Sequence, residues 1–230
     1  MTSGFLLIDK PTGWTSHDVI DHLRRVTGER TIGHAGTLDP FATGLLIVGV
    51  GRDATQRLAG FLKMDKEYEA AVRFGATSDT DDRTGIISLP HEGGTQGRGM
   101  PTRDIIERAL KTFHGTVQQL PPAYSAKKVA GKKMYELARA GKEVPRKPAT
   151  VTVHALDVLG YEWPLLRLRV RCSSGTYIRA IARDLGEALG VGGLLEELRR
   201  TMIGEYRVED AVDPRKVTSS EINSSLRGTK

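Results

Sequence analysis

From Leu166 to Cys172, in the strand-length run Leu165–Cys172, apolar and basic residues alternate without a break. Leu166, Leu168, Val170 and Cys172 fall on one side, and Arg167, Arg169 and Arg171 on the other. Period two is the spacing of a strand, here with one apolar and one guanidinium face. Other stretches follow different rules. Phe5–Ile8 and Leu45–Val50 are short apolar runs of strand length, and Glu67–Phe74 and Thr150–Leu159 also read as strands, with Ile86–Leu89 as a partner for Glu67–Phe74. Val19, Ile20, Leu23 and Val26 recur at helical spacing, with Thr15 or Ser16 to cap the helix and Gly28 to close it. Ala54–Leu62, the face Ile105, Ile106, Ala109, Leu110 and Phe113, Tyr177–Leu189 and Leu194–Arg200 read as further helices. Strands and helices mix without regular strand–helix alternation, and that is an α+β fold on a mixed, largely antiparallel central sheet flanked by helices.

The chain has 230 residues, enough for a sizeable core, and 39% of them are apolar, which excludes disorder of the whole. No apolar run approaches the roughly 20 residues of a membrane span. No export signal is visible at the start, and the single cysteine, Cys172, leaves no internal disulfide; a reducing cytoplasm is the expected compartment. The net charge is +6, and Tyr124–Pro148 alone, with eight bases and two acids, carries +6. Such a window is either a solvated helix face or an arm that contacts phosphates. Thr77–Gly85, with Asp79, Asp81 and Asp82, reads as a polar turn, the glycine-rich stretch His91–Pro101 as a mobile loop, and the chain after Val208 as a fraying polar tail.

Several chemistries find little support. Gly49–Ala54 fits a relaxed dinucleotide fingerprint, but the segments that follow read as antiparallel strands where a parallel strand–helix–strand unit is needed. The six histidines are scattered, no cysteine pair exists, and no Gly-x-Ser-x-Gly elbow is present. The strongest local feature is Gly33–Gly44, with three glycines and one carboxylate, Asp39, set between Leu38 and Pro40-Phe41. Asp-Pro is a common turn former. A partly desolvated carboxylate would instead want a cation, and Gly175-Thr176-Tyr177-Ile178-Arg179 offers Arg179 as a bidentate partner.

Four motifs in register, Lys10-Pro11-Thr12-Gly13-Trp14-Thr15-Ser16, Gly33–Gly44, Pro121-Pro122-Ala123-Tyr124-Ser125-Ala126 and Gly175–Arg179, make the chain resemble the TruB family of tRNA pseudouridine synthases, from about Gly4 to Tyr206. The resemblance implies a pseudouridine synthase fold with a basic inserted arm and isomerisation of uridine 55 in the tRNA T-loop, with no metal or organic cofactor. It implies Asp39 as the essential carboxylate with Arg179 as its cationic partner, and Tyr68 stacked on the flipped uracil. His34 would occupy the space the base vacates, Tyr177 and Leu198 would line the pocket, and Lys132 and Lys133 in the arm (about 118–148) would contact phosphates. The expected organisation is a catalytic domain over 1–212 and a disordered tail over 213–230. The 22 residues after Val208 are too few for the PUA domain that family members commonly carry. The partner would be the T-stem-loop of tRNA, with no membrane or protein partner, and the protein a monomer. A guide-RNA-dependent pseudouridylase, a non-catalytic RNA-binding module and a nucleotide-cofactor oxidoreductase are the competing readings.

Overall fold

The computed structural model describes residues 3–89, 99–124, 128–129, 132–133 and 146–218. The strands are β1 (Gly4–Lys10), β2 (Ile32–Ala35), β3 (Thr43–Val50), β4 (Lys66–Phe74), β5 (Thr77–Ser78), β6 (Ile87–Ser88), β7 (Gly115–Gln119), β8 (Lys128–Val129), β9 (Lys132–Lys133), β10 (Ala149–Glu162), β11 (Leu165–Cys172), β12 (Gly193–Ile203) and β13 (Tyr206–Arg207). The helices are α1 (Ser16–Thr27), α2 (Arg52–Lys63), α3 (Arg103–Leu110) and α4 (Ile178–Ala188). The class is α+β with a mostly antiparallel sheet. Packing divides the chain into two compact units: Met1–Glu69 with Leu198–Lys230, and Ala70–Glu197.

In the first unit β3 runs antiparallel to both β1 and β2, and parallel to β12 through Arg199↔Thr43 and Arg200↔Gly44. The apolar runs in β1 and β3 lack alternation because both faces are covered. Leu6, Ile8, Leu46 and Val48 pack with Val19, Ile20 and Leu23 of α1, while Phe5, Leu7, Leu45 and Ile47 pack with Ala54, Leu58 and Phe61 of α2. Helix α1 begins with a reciprocal capping box between Thr15 and Asp18 and ends at Gly28 in the left-handed region. At the start of α2 the Ala54 N–H is taken by Ser3 Oγ, and β4, the strand that follows α2, is not a neighbour of β3 in the sheet, so the parallel strand–helix–strand unit of a dinucleotide site is absent here.

The second unit holds β7, β10 and β11 in antiparallel pairing, with α3 and α4. Leu166, Leu168, Val170 and Cys172 are buried and Arg167, Arg169 and Arg171 exposed, as the alternation requires. Three expectations are corrected. Leu194–Arg200 is not helical but the middle of β12, where the burial of Leu194, Leu195 and Leu198 in a sheet outweighs the helical preference of Leu, Glu and Arg. Ile87–Ser88 pairs with Thr77–Ser78, not with β4. The chain does not fray at Val208: Val212 bonds to Leu7 and Asp9 in the first unit, and a 3₁₀ turn follows at Pro214–Lys216. Residues 219–230 of the expected tail, 91–98 of the glycine-rich stretch and most of the basic window lie outside the described residues.

Candidate active site

Asp39 sits on the connection from β2 to β3, and the hydrogen bonds that fix this connection go to its main chain. One set comes from Lys10–Ser16. The Lys10 ammonium, fully buried, donates to the carbonyls of Pro11 (3.0 Å), Trp14 (2.6 Å) and Pro40 (3.4 Å). The Gly13 N–H adds a second bond to Pro40 O (2.8 Å), and Thr12 Oγ1 donates to Phe41 O (3.2 Å). Ser16 Oγ accepts from Leu38 N (2.9 Å) and donates to Leu38 O (3.3 Å). Both neighbours of Asp39 are therefore held by a segment 22 or more positions upstream, and Ala42 N bonds to Asp39 O across the turn (3.1 Å).

The other set comes from β12. Arg200, 2% exposed, donates from Nε to Leu45 O (2.7 Å) and from Nη2 to Gly36 O (3.0 Å). These bonds close the two ends of the loop. Next to it Arg199 forms a bidentate pair with Asp9 (3.0 and 2.8 Å). The register of β12 on β3 puts Leu198, 8% exposed, beside the C-terminal end of the Asp39 loop. Tyr68, 9% exposed, lies on β4 in the same unit, so the reading of it as a strand tyrosine holds together with any role in the site.

Charge is concentrated around this loop. Burial lowers the Lys10 pKa from its usual value to about 8; the negative charge of Asp39 opposes that shift and the positive charge of Arg200 adds to it. Burial, with Arg200 and His17 as lesser causes, also lowers the pKa of His34, whose Nδ1 is buried without a hydrogen-bond partner. Lys10 and Arg200 thus share a field with the Asp39 carboxylate, while burial and Arg200 disfavour a charge on His34. Replacing Asp39 by Asn removes the charge that supports the ammonium. The Lys10 pKa is then expected to fall below about 8, read from the ε-carbon shift in an NMR titration; an unchanged or raised value would show that the two groups do not share a field.

Ser16 carries a separate test. Ser16→Ala leaves the Thr15 cap intact but strips Leu38 of both bonds in a buried setting. A loss of about 2 kcal/mol is expected in denaturant unfolding; a loss under about 0.5 kcal/mol would mean the loop does not depend on this hydroxyl.

Arg179 and Tyr177 belong to the second unit. The Gln119 side chain brackets Tyr177, accepting from its N–H (2.8 Å) and donating to its carbonyl (3.0 Å) just before α4. Arg179, 5% exposed, donates from Nη1 to Thr80 O (3.0 Å) and Asp82 Oδ2 (3.2 Å) and from Nη2 to Tyr124 O (2.9 Å). Asp82 is itself pinned, its Oδ1 accepting from Thr80 Oγ1 and from the N–H and hydroxyl of Thr84. Within its own unit Arg179 meets the carboxylate of Asp82. Its signal was the run of aspartates read only as a polar turn. Lys132 and Lys133 form β9, whose backbone pairs with β8 through Lys128↔Lys133 and Val129↔Lys132.

Comparisons with known proteins bear on the same residues. Residues 24–178 match the family described as "TruB family pseudouridylate synthase (N terminal domain)", and residues 179–227 match "tRNA pseudouridylate synthase B C-terminal domain". A protein of Chlamydia trachomatis serovar L2 named tRNA pseudouridine synthase B is 46% identical over 96% of this chain and 89% of its own length. One of the same name from Thermobifida fusca is 46% identical over 92% of this chain and 73% of its own. Among solved structures, a chain of the archaeal box H/ACA sRNP Nop10–Cbf5 complex matches with a TM-score of 0.69 at 25% identity, over 97% of this chain. A chain of a Cbf5–Nop10–Gar1 complex matches with a TM-score of 0.68 at 30% identity, over 91%. This chain spans 59% and 52% of the lengths of those two. With a carboxylate on a doubly braced loop and identity of this extent, the chain belongs to the TruB family of tRNA pseudouridine synthases.

Proposed function

We propose that this enzyme converts uridine 55 in the T-loop of tRNA to pseudouridine, with Asp39 beneath the flipped base and Arg179 as its cationic partner. The observation that carries the reading is the bracing of the Asp39 loop: its carboxylate rides on main chain fixed by Lys10, Ser16 and Arg200. Preorganised charge of this kind does not have to be ordered when the substrate arrives.

The isomerisation breaks the N1–C1′ bond, turns the uracil, and forms a C5–C1′ bond. The C5 proton leaves to solvent and N1 ends protonated, so atoms and charge balance without a cofactor. An ionised Asp39 is needed whether it attacks the base or the sugar or removes a ribose proton. Extruding a stacked uridine costs a few kcal/mol. Stacking on Tyr68 returns about 1–3 kcal/mol, and His34, held neutral, fills the vacated space without placing a charge in the loop. Tyr177 and Leu198 line the pocket, and Lys132 and Lys133 meet phosphates, so affinity falls steeply with salt. The enzyme acts alone, as a cytoplasmic monomer.

Tritium release from transcript tRNA labelled at uracil C5 tests this. The expected result is one tritium per tRNA without metal or guide RNA, and none from a transcript with cytidine at position 55. Equal release from both transcripts would overturn the choice of target, and no release from either would overturn the reaction.

A further inference from the structure

Helix α4 carries two arginines one turn apart, and they make matching contacts within the second unit. Arg179 takes Asp82 and the carbonyls of Thr80 and Tyr124. Arg183 takes Asp81 (2.8 Å), Asp184 (2.7 Å) and the carbonyl of Leu120 (3.0 Å). Residues 80–82 and 120–124 are thus each tied at two points to one rigid element.

Asp81 is the link between the two sets. It lies between Thr80 and Asp82, which supply the carbonyl and the carboxylate on Arg179 Nη1. Its φ of 60° is the single positive value at a non-glycine residue among the described residues, a conformation aspartate tolerates but that side chains in general avoid. The side chain is buried, and burial raises its pKa while the Arg183 charge lowers it. Its N–H bonds to Ser78 O (3.1 Å) and its carbonyl accepts from Leu195 N (3.0 Å), so the turn is anchored on both sides of the peptide. The guanidinium of Arg183 is what meets the carboxylate.

We propose that Asp81 and Arg183 are a positioning pair, their ion pair fixing the turn at residue 81 and thereby the direction in which Thr80 O and Asp82 hold the Arg179 guanidinium. The proposal rests on the reading of Arg179 as the cation of the uridine site. Neither member of the pair touches the substrate. Without Arg183 the buried carboxylate of Asp81 has lost the guanidinium it is hydrogen-bonded to, the turn relaxes, and the guanidinium of Arg179 shifts. Misplacements of about 1 Å near a reacting centre cost up to about a hundredfold in rate.

The test compares full-length Arg183→Gln, Arg183→Lys, Asp81→Asn and the double variant Asp81→Asn/Arg183→Gln. Asparagine keeps the tolerance for positive φ and the double variant leaves no unpaired carboxylate at residue 81, so it reports even where Arg183→Gln folds poorly. Arg183→Gln is expected to slow single-turnover tritium release about tenfold with the tRNA Kd within about twofold. Arg183→Lys recovers most of that rate, and the double variant is no slower than Arg183→Gln, since the Asp81–Arg183 pair is lost either way. Exchange of the Arg179 guanidinium protons, assigned by their loss in Arg179→Lys, is expected to quicken about tenfold in Arg183→Gln. That last readout needs no turnover, so a wild type that releases no tritium defeats the uridine reading and leaves the pair to be judged by exchange. Unchanged exchange, a rate within twofold of wild type in Arg183→Gln, no rescue by lysine, or single-variant losses that multiply in the double variant would each overturn the pair.

Discussion

Asp39→Asn is expected to bind tRNA at close to wild-type strength and to lose pseudouridine formation by on the order of 10⁴-fold, about 5.5 kcal/mol of transition-state stabilisation. The expectation of intact binding comes from where the loop is held. Lys10, Gly13, Thr12, Ser16 and Arg200 all grip main-chain atoms of residues 36, 38, 40, 41 and 45, none of which changes when a carboxylate becomes an amide of the same shape. The size of the rate loss comes from the chemistry. Nucleophilic attack and proton abstraction both need the charge and basicity that the amide lacks, and no other carboxylate lies on the 33–44 loop to replace it. Filter binding and single-turnover tritium release separate the two quantities. A rate within tenfold of wild type would take Asp39 out of the chemistry, and a parallel collapse of binding and rate would assign it to recognition.

How much of this was legible in the sequence follows the range of the interactions. Helix α1 was readable because its cap, Thr15, and its terminator, Gly28, directly flank it, and β11 because period two is a local property. Asp39 stood out through its glycine-spaced loop and the motifs around it. The braces did not, since Lys10-Pro11-Thr12-Gly13 looks like turn chemistry until its bonds to Pro40 and Phe41 are seen, about 30 positions away. Strand β12 shows the failure most sharply. Leu-Leu-Glu-Glu-Leu-Arg-Arg has the composition of a helix, yet each charge finds its partner far along the chain: Glu196 with Arg73, Glu197 with Arg167, Arg199 with Asp9, and Arg200 with the carbonyls of Gly36 and Leu45. Tertiary partners outweighed local propensity. Asp82 was hidden for the same reason, its arginine lying 97 residues away.

Gly44→Ala is expected to be the most damaging single-methyl change in the first unit, costing about 3–5 kcal/mol and lowering the Tm by roughly 10 °C or more. Two effects add at this position. The φ of 101° is one that side chains rarely adopt, and a Cβ there would lie 2.3 Å from Arg200 O and 2.7 Å from Arg200 N. Both atoms are main chain, in the strand paired with β3 through Arg200↔Gly44, so no rotamer change makes room and the two strands must part. Parting them moves Arg200 away from Gly36 and Leu45, the two ends of the Asp39 loop, and activity should fall further than the folded fraction alone explains. Gly13→Ala is the control: its φ of 82° is similarly unfavourable, but nothing lies within 4 Å of the added carbon. It should cost only about 1–2 kcal/mol, the strain of the backbone by itself. Thermal unfolding of both variants, with single-turnover rates measured below their transitions, reads the difference. If Gly44→Ala costs no more than Gly13→Ala, the close approach of β12 is not what demands glycine here, and Arg200 holds the loop with room to spare.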